Sequence, residues 1–171
     1  MYSGGKLYRL IGDNFYNMVH DSLEDLGWFN PARKHLPVHL IPEPVDDNEV
    51  IQLNTIAISD EEITTSDVEL GSVLAEHRLL FYIDIYAESK AIGRHLCGDI
   101  KDILEGRMNS IGRGSPTVTV MDLSLATPTE LLVCQIESVA VERGRAYLKK
   151  HQQFWYSVMC ELVFSFQSDL D

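Results

Sequence analysis

No run of apolar residues in this sequence approaches the roughly 20 that a helix needs to cross a bilayer. The opening MYSGGKLYRL has none of the apolar core of a signal peptide, so a soluble, cytoplasmic chain with no membrane partner is expected. Cysteine is scarce: Cys97, Cys134 and Cys160 are odd in number and show no CxxC spacing. That argues against a disulfide framework and a zinc site, and the three read as reduced, buried small residues. The six histidines show no ligand spacing either, so no metal or cofactor is expected.

Positive charge is missing from a long stretch. Between His35 and His77 there is no lysine or arginine, against ten aspartates and glutamates, while the rest of the chain carries 16 acids and 14 bases. The net charge of -12 therefore sits mostly in one segment. Such a segment repels phosphate backbones, which argues against gripping nucleic acid. It reads either as a solvated acidic arm or as a surface that meets a partner or lines a passage through which DNA slides.

What is present is enough for one domain with a sizeable core: 171 residues, 45% of them hydrophobic. Ile11, Phe15, Met18, Val19, Leu23 and Leu26 form one helical stripe, with Gly27 placed to end the helix. HLPVHLIPEP reads as an extended segment that its prolines confine to an edge or make irregular. Val50–Ile58 reads as a strand, and SDEEITTSDVELGS as a long loop or extended hairpin. The stretch LLFYIDIYAESKAIGRHLCGDIKDILEG then changes period. Phe81, Ile83, Ile85 and Ala87 alternate as in a strand; Ile92, Leu96, Ile100, Ile103 and Leu104 repeat as in a helix, with Ser89 as its cap and Gly106 as its end. PTVTVMDLSL is a strand whose apolar side shifts from Val118 and Val120 to Met121, Leu123 and Leu125, the mark of a bulge. ELLVCQIESVAVERG and FWYSVMCELVFSF are further strands. The fold expected is α+β: a mostly antiparallel sheet of four to five strands packed with two helices, in one domain, residues 1–171, with an acidic loop or hairpin around residues 43–77.

Candidate chemistry is thin. His35 and His39 share a face of an extended segment but lie about 13 Å apart at 3.3 Å per residue, too far for one zinc ion. MNSIG has methionine where a nucleophile elbow needs glycine. Asp99 and Asp102 are helical neighbours on the face away from the isoleucine stripe and read as solvated. Asp84 points off a strand between Tyr82 and Tyr86, and alone makes no acid/base pair. In ERGRAYLKKH, Arg143, Arg145, Lys149 and Lys150 surround Tyr147; a hairpin end or protein interface is preferred over a nucleic-acid patch because the chain is acidic. The turn between strand and helix lacks the glycines of a phosphate cradle.

FYIDIYAESKAIGRHLCGDIKDILEGR, with the two leucines before it, resembles the strand-to-helix segment of tail terminator, or tail completion, proteins of long-tailed bacteriophages. An aliphatic strand ends in a short polar turn, and an amphipathic helix closes in Leu104-Glu105-Gly106. The resemblance implies a structural virion protein and no enzyme. Such proteins form a ring, usually a hexamer, on the last ring of the tail tube, end tube polymerisation and face the head connector. The implied partners are further copies of the chain, the tail tube protein and the head-tail connector proteins, with DNA only as passing cargo. The implied location is the head-proximal end of the virion tail, after assembly in the host cytoplasm. Under this resemblance Glu61, Glu62 and Asp67 are candidates for a subunit interface or the lumen, with Arg143, Arg145, Lys149 or Lys150 of a neighbouring copy as charge partners. The alternatives are a head-tail adaptor, neck or other capsid-associated protein, or a small Mg²⁺-dependent phage nuclease using Asp84, Asp99 or Asp102.

Overall fold

The computed structural model describes residues 4–30, 32, 38–44, 54–67, 74–107, 116–142, 147–148 and 153–167. Its first helix, α1 (Gly4–Asp25), buries Leu7, Leu10, Ile11, Phe15, Val19 and Leu23. The second, α2 (Lys90–Leu104), buries Ile92, Leu96, Ile100, Ile103 and Leu104. Ser89 caps α2, its side chain accepting the Ile92 N–H at 3.3 Å. Both helices stop the same way. Gly27 (φ 75°) donates its N–H to Glu24 O and Trp28 donates to Leu23 O; Gly106 (φ 68°) donates to Ile103 O and Arg107 to Asp102 O. Each is a paired closure around a glycine in the left-handed region, which satisfies the last carbonyls of the helix.

The strands are β1 (His39–Ile41), β2 (Thr55–Asp67), β3 (Leu74–Ala87), β4 (Thr117–Asp122), β5 (Thr129–Glu142), β6 (Tyr147–Leu148) and β7 (Gln153–Gln167). Six of them follow the order β1-β2-β3-β7-β5-β4 in one curled sheet, and β6 pairs with β7 off that path. The α+β class is as expected, but the sheet is larger than four to five strands and it is mixed. β1 runs parallel to β2; every other pair among the described residues is antiparallel. The added strands are three and two residues long, too short to show a period of two. A parallel partner is also joined by chain that carries no hairpin signal.

β3 is paired along its whole length on both sides. Thr55 pairs with Tyr86 and Asp67 with Ala75 on β2, while Ala87 pairs with Phe154 and Leu74 with Gln167 on β7. Leu79, Phe81, Ile83, Ile85 and Ala87 face the helices and are buried, as are Val158, Cys160, Leu162 and Phe164 beside them on β7. The Phe15 ring of α1 stacks on Phe81 at 4.1 Å between centroids. Of the strand expected over Val50–Ile58, Thr55–Ile58 is strand, Asn54 takes a positive φ of 58°, and residues 50–53 lie outside the described residues. Asn54 is fully buried; its carbonyl accepts from His39 N–H at 2.9 Å and its side-chain oxygen from Glu88 N–H at 3.1 Å. One residue thus ties β1, β2 and the β3–α2 turn together.

Three register shifts bend the sheet, each placing one extra residue opposite none: Glu61 on β2, Leu131 on β5 and Glu137 on β5. The irregularity expected at Val120/Met121 is there, but the extra residue belongs to β5. The buried side of β4 therefore continues through Val118, Val120 and Asp122, while Leu123 and Leu125 are exposed. Asp122 is buried because Lys6 of α1 reaches it at 3.3 Å and the Ser124 N–H and hydroxyl both donate to it. Asn14 of α1 completes the irregular edge. Its amide donates to Met121 O at 2.9 Å and accepts from Met121 N–H at 3.2 Å.

Two helical glycines should respond oppositely to alanine. A Cβ at Gly12 meets nothing within 4 Å, so Gly12→Ala should raise stability by about 0.5–1 kcal/mol through helix propensity alone. A Cβ at Gly93 would collide with the Tyr156 ring, so Gly93→Ala should lower stability by about 1–3 kcal/mol. Urea unfolding of the two variants beside the parent chain measures both, and equal effects would show that α2 does not sit this close to β7.

Candidate functional site

The carboxylates that could serve a metal are held apart by indoles. Asp84 on β3 accepts from Trp155 Nε1 at 3.0 Å. Asp99 on α2 accepts from Trp28 Nε1 at 2.8 Å, with His95 Nε2 3.6 Å away. Asp99 is thus not the solvated residue its helical position suggested; it fastens the C-terminal turn of α1 to α2. Among the described residues, one group brings ligand atoms within reach of a common ion: His20, Asp21 and Glu24 on α1, the latter two exposed. Asp84, Asp99 and Asp102 do not converge.

The nucleophiles are equally enclosed. Cys97, Cys134 and Cys160 are buried and unbonded to one another. Burial pushes the Cys134 thiol up to about 12 and the Cys160 thiol up strongly. Cys97 is also raised by burial, with Lys101 opposing. Such thiols stay protonated at neutral pH and are poor nucleophiles. His77 is buried on the inner face of β3, its ring stacked on Phe164 at 5.3 Å and its Nδ1 2.9 Å from the Tyr8 hydroxyl.

Charge is arranged by position along the sheet. Glu61, Glu62 and Asp67 all fall on β2: Glu61 is its bulge residue, Glu62 pairs with Leu80 and Asp67 with Ala75 near the β2–β3 turn. Part of the stretch expected as an acidic loop or hairpin is therefore hydrogen-bonded strand. Arg143 and Arg145, between β5 and β6, and Lys149 and Lys150, between β6 and β7, lie outside the described residues, as does His35. Their flanking residues are placed: Glu142 pairs with Ser157 and Tyr147 with Phe154, at the end of β7 remote from the β2–β3 turn. Asp67 thus lies at the opposite end of the sheet from Tyr147, with Glu61 and Glu62 nearer the middle of β2. On the outer face a single arginine, Arg78, is ringed by Glu76 at 2.9 Å, Glu137 at 3.2 Å and Glu161 at 3.4 Å. Hydrogen bonds from Glu76 and Glu161 raise its already high pKa. On β7, Trp155 and Met159 are half-buried and Val163 is buried.

Two open clefts flank the core. One, about 750 Å³, lies between α1 and the β1–β2 edge and has mixed charge from Arg9, Asp13 and Asp60 around Tyr8 and Tyr16. The Tyr16 hydroxyl donates to Leu40 O at 3.1 Å, and burial raises its pKa. The other, about 690 Å³, runs along α2 and is lined by Lys90, Arg94, Lys101, Gly98, Val141 and Tyr156. Sequence reasoning missed this basic groove. Its signal was available in part, since Lys90, Arg94 and Lys101 stand at i, i+4 and i+11, but the strands that form its other wall lie far away in sequence.

No protein-family model matches the chain, and no curated protein matches it.

Burial lowers the pKa of His77 below its ordinary 6.5. The folded state therefore resists the proton that the unfolded state accepts, and this contribution is complete above about pH 6.5 and is lost as pH falls through the lower folded value. Between about pH 7.5 and 5.5 the unfolding free energy of the parent should decline, and His77→Gln should flatten that decline. Denaturant midpoints across the window check it; identical slopes in the two proteins would mean that His77 takes up protons equally in both states.

Proposed function

We propose that this chain is a structural subunit of a bacteriophage tail, a terminator that closes the tail tube as a ring, usually hexameric in such proteins. In this reading it ends tube polymerisation at the head-proximal end and offers the joining surface to the head connector, with DNA passing through the lumen. The observation that carries the reading is the segment Leu79–Arg107. There β3 leads through Glu88 and Ser89 directly into α2, which folds back over β3, β5 and β7. This is the strand-to-helix pattern in which the resemblance to terminators lies, realised as the centre of the fold.

Two further features support it. The residues with chemistry to offer are engaged in holding the fold: Asp84 and Asp99 by indoles, Asp122 by Lys6, the cysteines by burial. Asp67 and the short strand β6, which basic residues flank in the sequence, belong to opposite ends of one sheet, which suits a contact between unlike surfaces of successive copies. Heterologous contacts of this kind close into rings when the rotation between copies permits. An adaptor or nuclease reading has no comparable observation on its side.

In solution the purified protein should give a light-scattering mass corresponding to a closed oligomer, expected at six copies of the 19.4 kDa chain, alone or once tail tube protein is added. Electron micrographs of the mixture should show tubes of limited length with an extra ring at one end. A monomeric mass at every concentration, together with tubes that grow unchecked in its presence, would overturn the proposal.

A further inference from the structure

The groove along α2 is unlike the rest of this molecule. The chain has 26 acids and 14 bases, yet among the described residues three cations and no acid line this cleft of about 690 Å³. Lys90, Arg94 and Lys101 lie along one strip of α2; Val141 of β5 and Tyr156 of β7 form the opposite wall. Lys90 sits over the Phe154 ring at 5.8 Å, and Lys101 reaches Glu105 beside the groove at 3.3 Å. Arg94 is exposed and makes no ion pair among the described residues. At Gly98 a Cβ would meet nothing within 4 Å, so the floor of the groove is open. Val141 is one of the few exposed large apolar side chains, at 38%. The groove therefore offers cations, an aromatic edge and an apolar patch together, a combination fitted to an extended acidic segment of protein.

The same molecule supplies such a segment, and its far end lies well away from its own groove. β2 carries Asp60, Glu61, Glu62 and Asp67, and Glu69 follows in the sequence. Tyr156 in the groove pairs with Ile85 on β3, whereas Asp67 pairs with Ala75. Ten residues of strand separate those positions, about 33 Å at 3.3 Å per residue. Asp67, at the far end of the β2–β3 hairpin, is thus well away from its own groove, while Asp60 and Glu62, paired with Phe81 and Leu80, stand four and five residues from the Ile85 position. A second copy placed head to tail would bring one copy's hairpin to the next copy's groove, and each copy would use both surfaces once.

We infer that the α2 groove is the docking site for the acidic β2–β3 hairpin of a neighbouring copy, with Lys90, Arg94 and Lys101 meeting the carboxylates of residues 60–69. This rests on the ring proposed above and names the contact that builds it. Each copy donates one hairpin and receives one, so the contact is heterologous and extends around a ring. Charge pairs at such a rim set register and partner choice more than they supply affinity, and they weaken with salt.

Two full-length variants and their mixture test the inference. K90E/R94E/K101E reverses the groove, and E61K/E62K/D67K reverses the hairpin. Each alone should move the concentration at which the protein assembles upward by about tenfold at low salt. Mixed in equal amounts they should assemble again, because the reversed hairpin of one matches the reversed groove of the other and the two unreversed surfaces also match. Gly98→Leu supplies a variant free of charge effects: it fills the floor of the groove, favours the helix, and should weaken assembly while leaving the unfolding midpoint at or above that of the parent. If the parent assembles and both charge reversals assemble like it, the groove is not the docking site, although the ring stands. If the parent never assembles, with or without tube protein, the ring and the groove contact fall together.

Discussion

Everything in this fold depends on β3. It is hydrogen-bonded along both edges, to β2 and β7, and its inward side chains Leu79, Phe81, Ile83 and Ile85 are at most 2% exposed. Each such side chain stabilises the fold by about 1.5–3 kcal/mol through removal from water. α1 reaches the sheet through Phe15 on Phe81, and α2 leaves directly from the end of β3 after a two-residue turn. A strand buried on one face and paired on both edges leaves little freedom in register, since a shift of one residue would turn Phe81, Ile83 and Ile85 outward. The rest of the sheet is then free to bend, and it does so at three bulges away from the β3–β7 pair.

A rigid centre of this kind separates the two ends of the sheet by a fixed length. Asp67 at the hairpin end and Tyr156 in the basic groove are held on the same frame, ten residues of strand apart. Meanwhile three acids gather around Arg78, and among the described residues Lys101 of α2 is paired with Glu105 while Arg94 makes no ion pair. An acidic molecule that keeps a basic groove at one end has an unequal charge distribution that orients copies as they meet. In the proposed terminator role this would serve assembly, while the excess of acid would keep passing DNA from adhering.

Much of the framework was legible in the residues, for physical reasons that can be named. Gly27 and Gly106 end their helices because glycine adopts a positive φ without strain. Ser89 caps α2, and the alternation of Val158, Cys160, Leu162 and Phe164 reports a strand with one buried face. The half of β2 after Asp60 was legible only as a loop or a hairpin, since its order comes from pairing with β3 and not from its own polar residues. β1 lies in the segment read as extended and confined to an edge, though its parallel pairing was not legible, and β6 was too short to show any period. Leu123 and Leu125 were read as core and are exposed, while Asp122 is buried instead, because an ion pair with Lys6, 116 residues away, cannot be seen from local alternation. The candidate site divides in the same way. The acidic set was visible as a charge run, but the groove that complements it is assembled from α2, β5 and β7, and only the helical strip left a trace in sequence.

The head-to-tail contact between copies is the central claim, and zero-length crosslinking of a mixed-isotope sample tests it most directly. Parent protein labelled with ¹⁵N is mixed with unlabelled protein, allowed to assemble, and treated with a carbodiimide that joins carboxylates to amines. The account predicts crosslinked peptide pairs joining Lys90 or Lys101 to an acid within residues 60–69, half of them carrying one labelled and one unlabelled partner. An assembled sample whose α2 lysines crosslink only within one isotope, or to acids elsewhere in the chain, would contradict it.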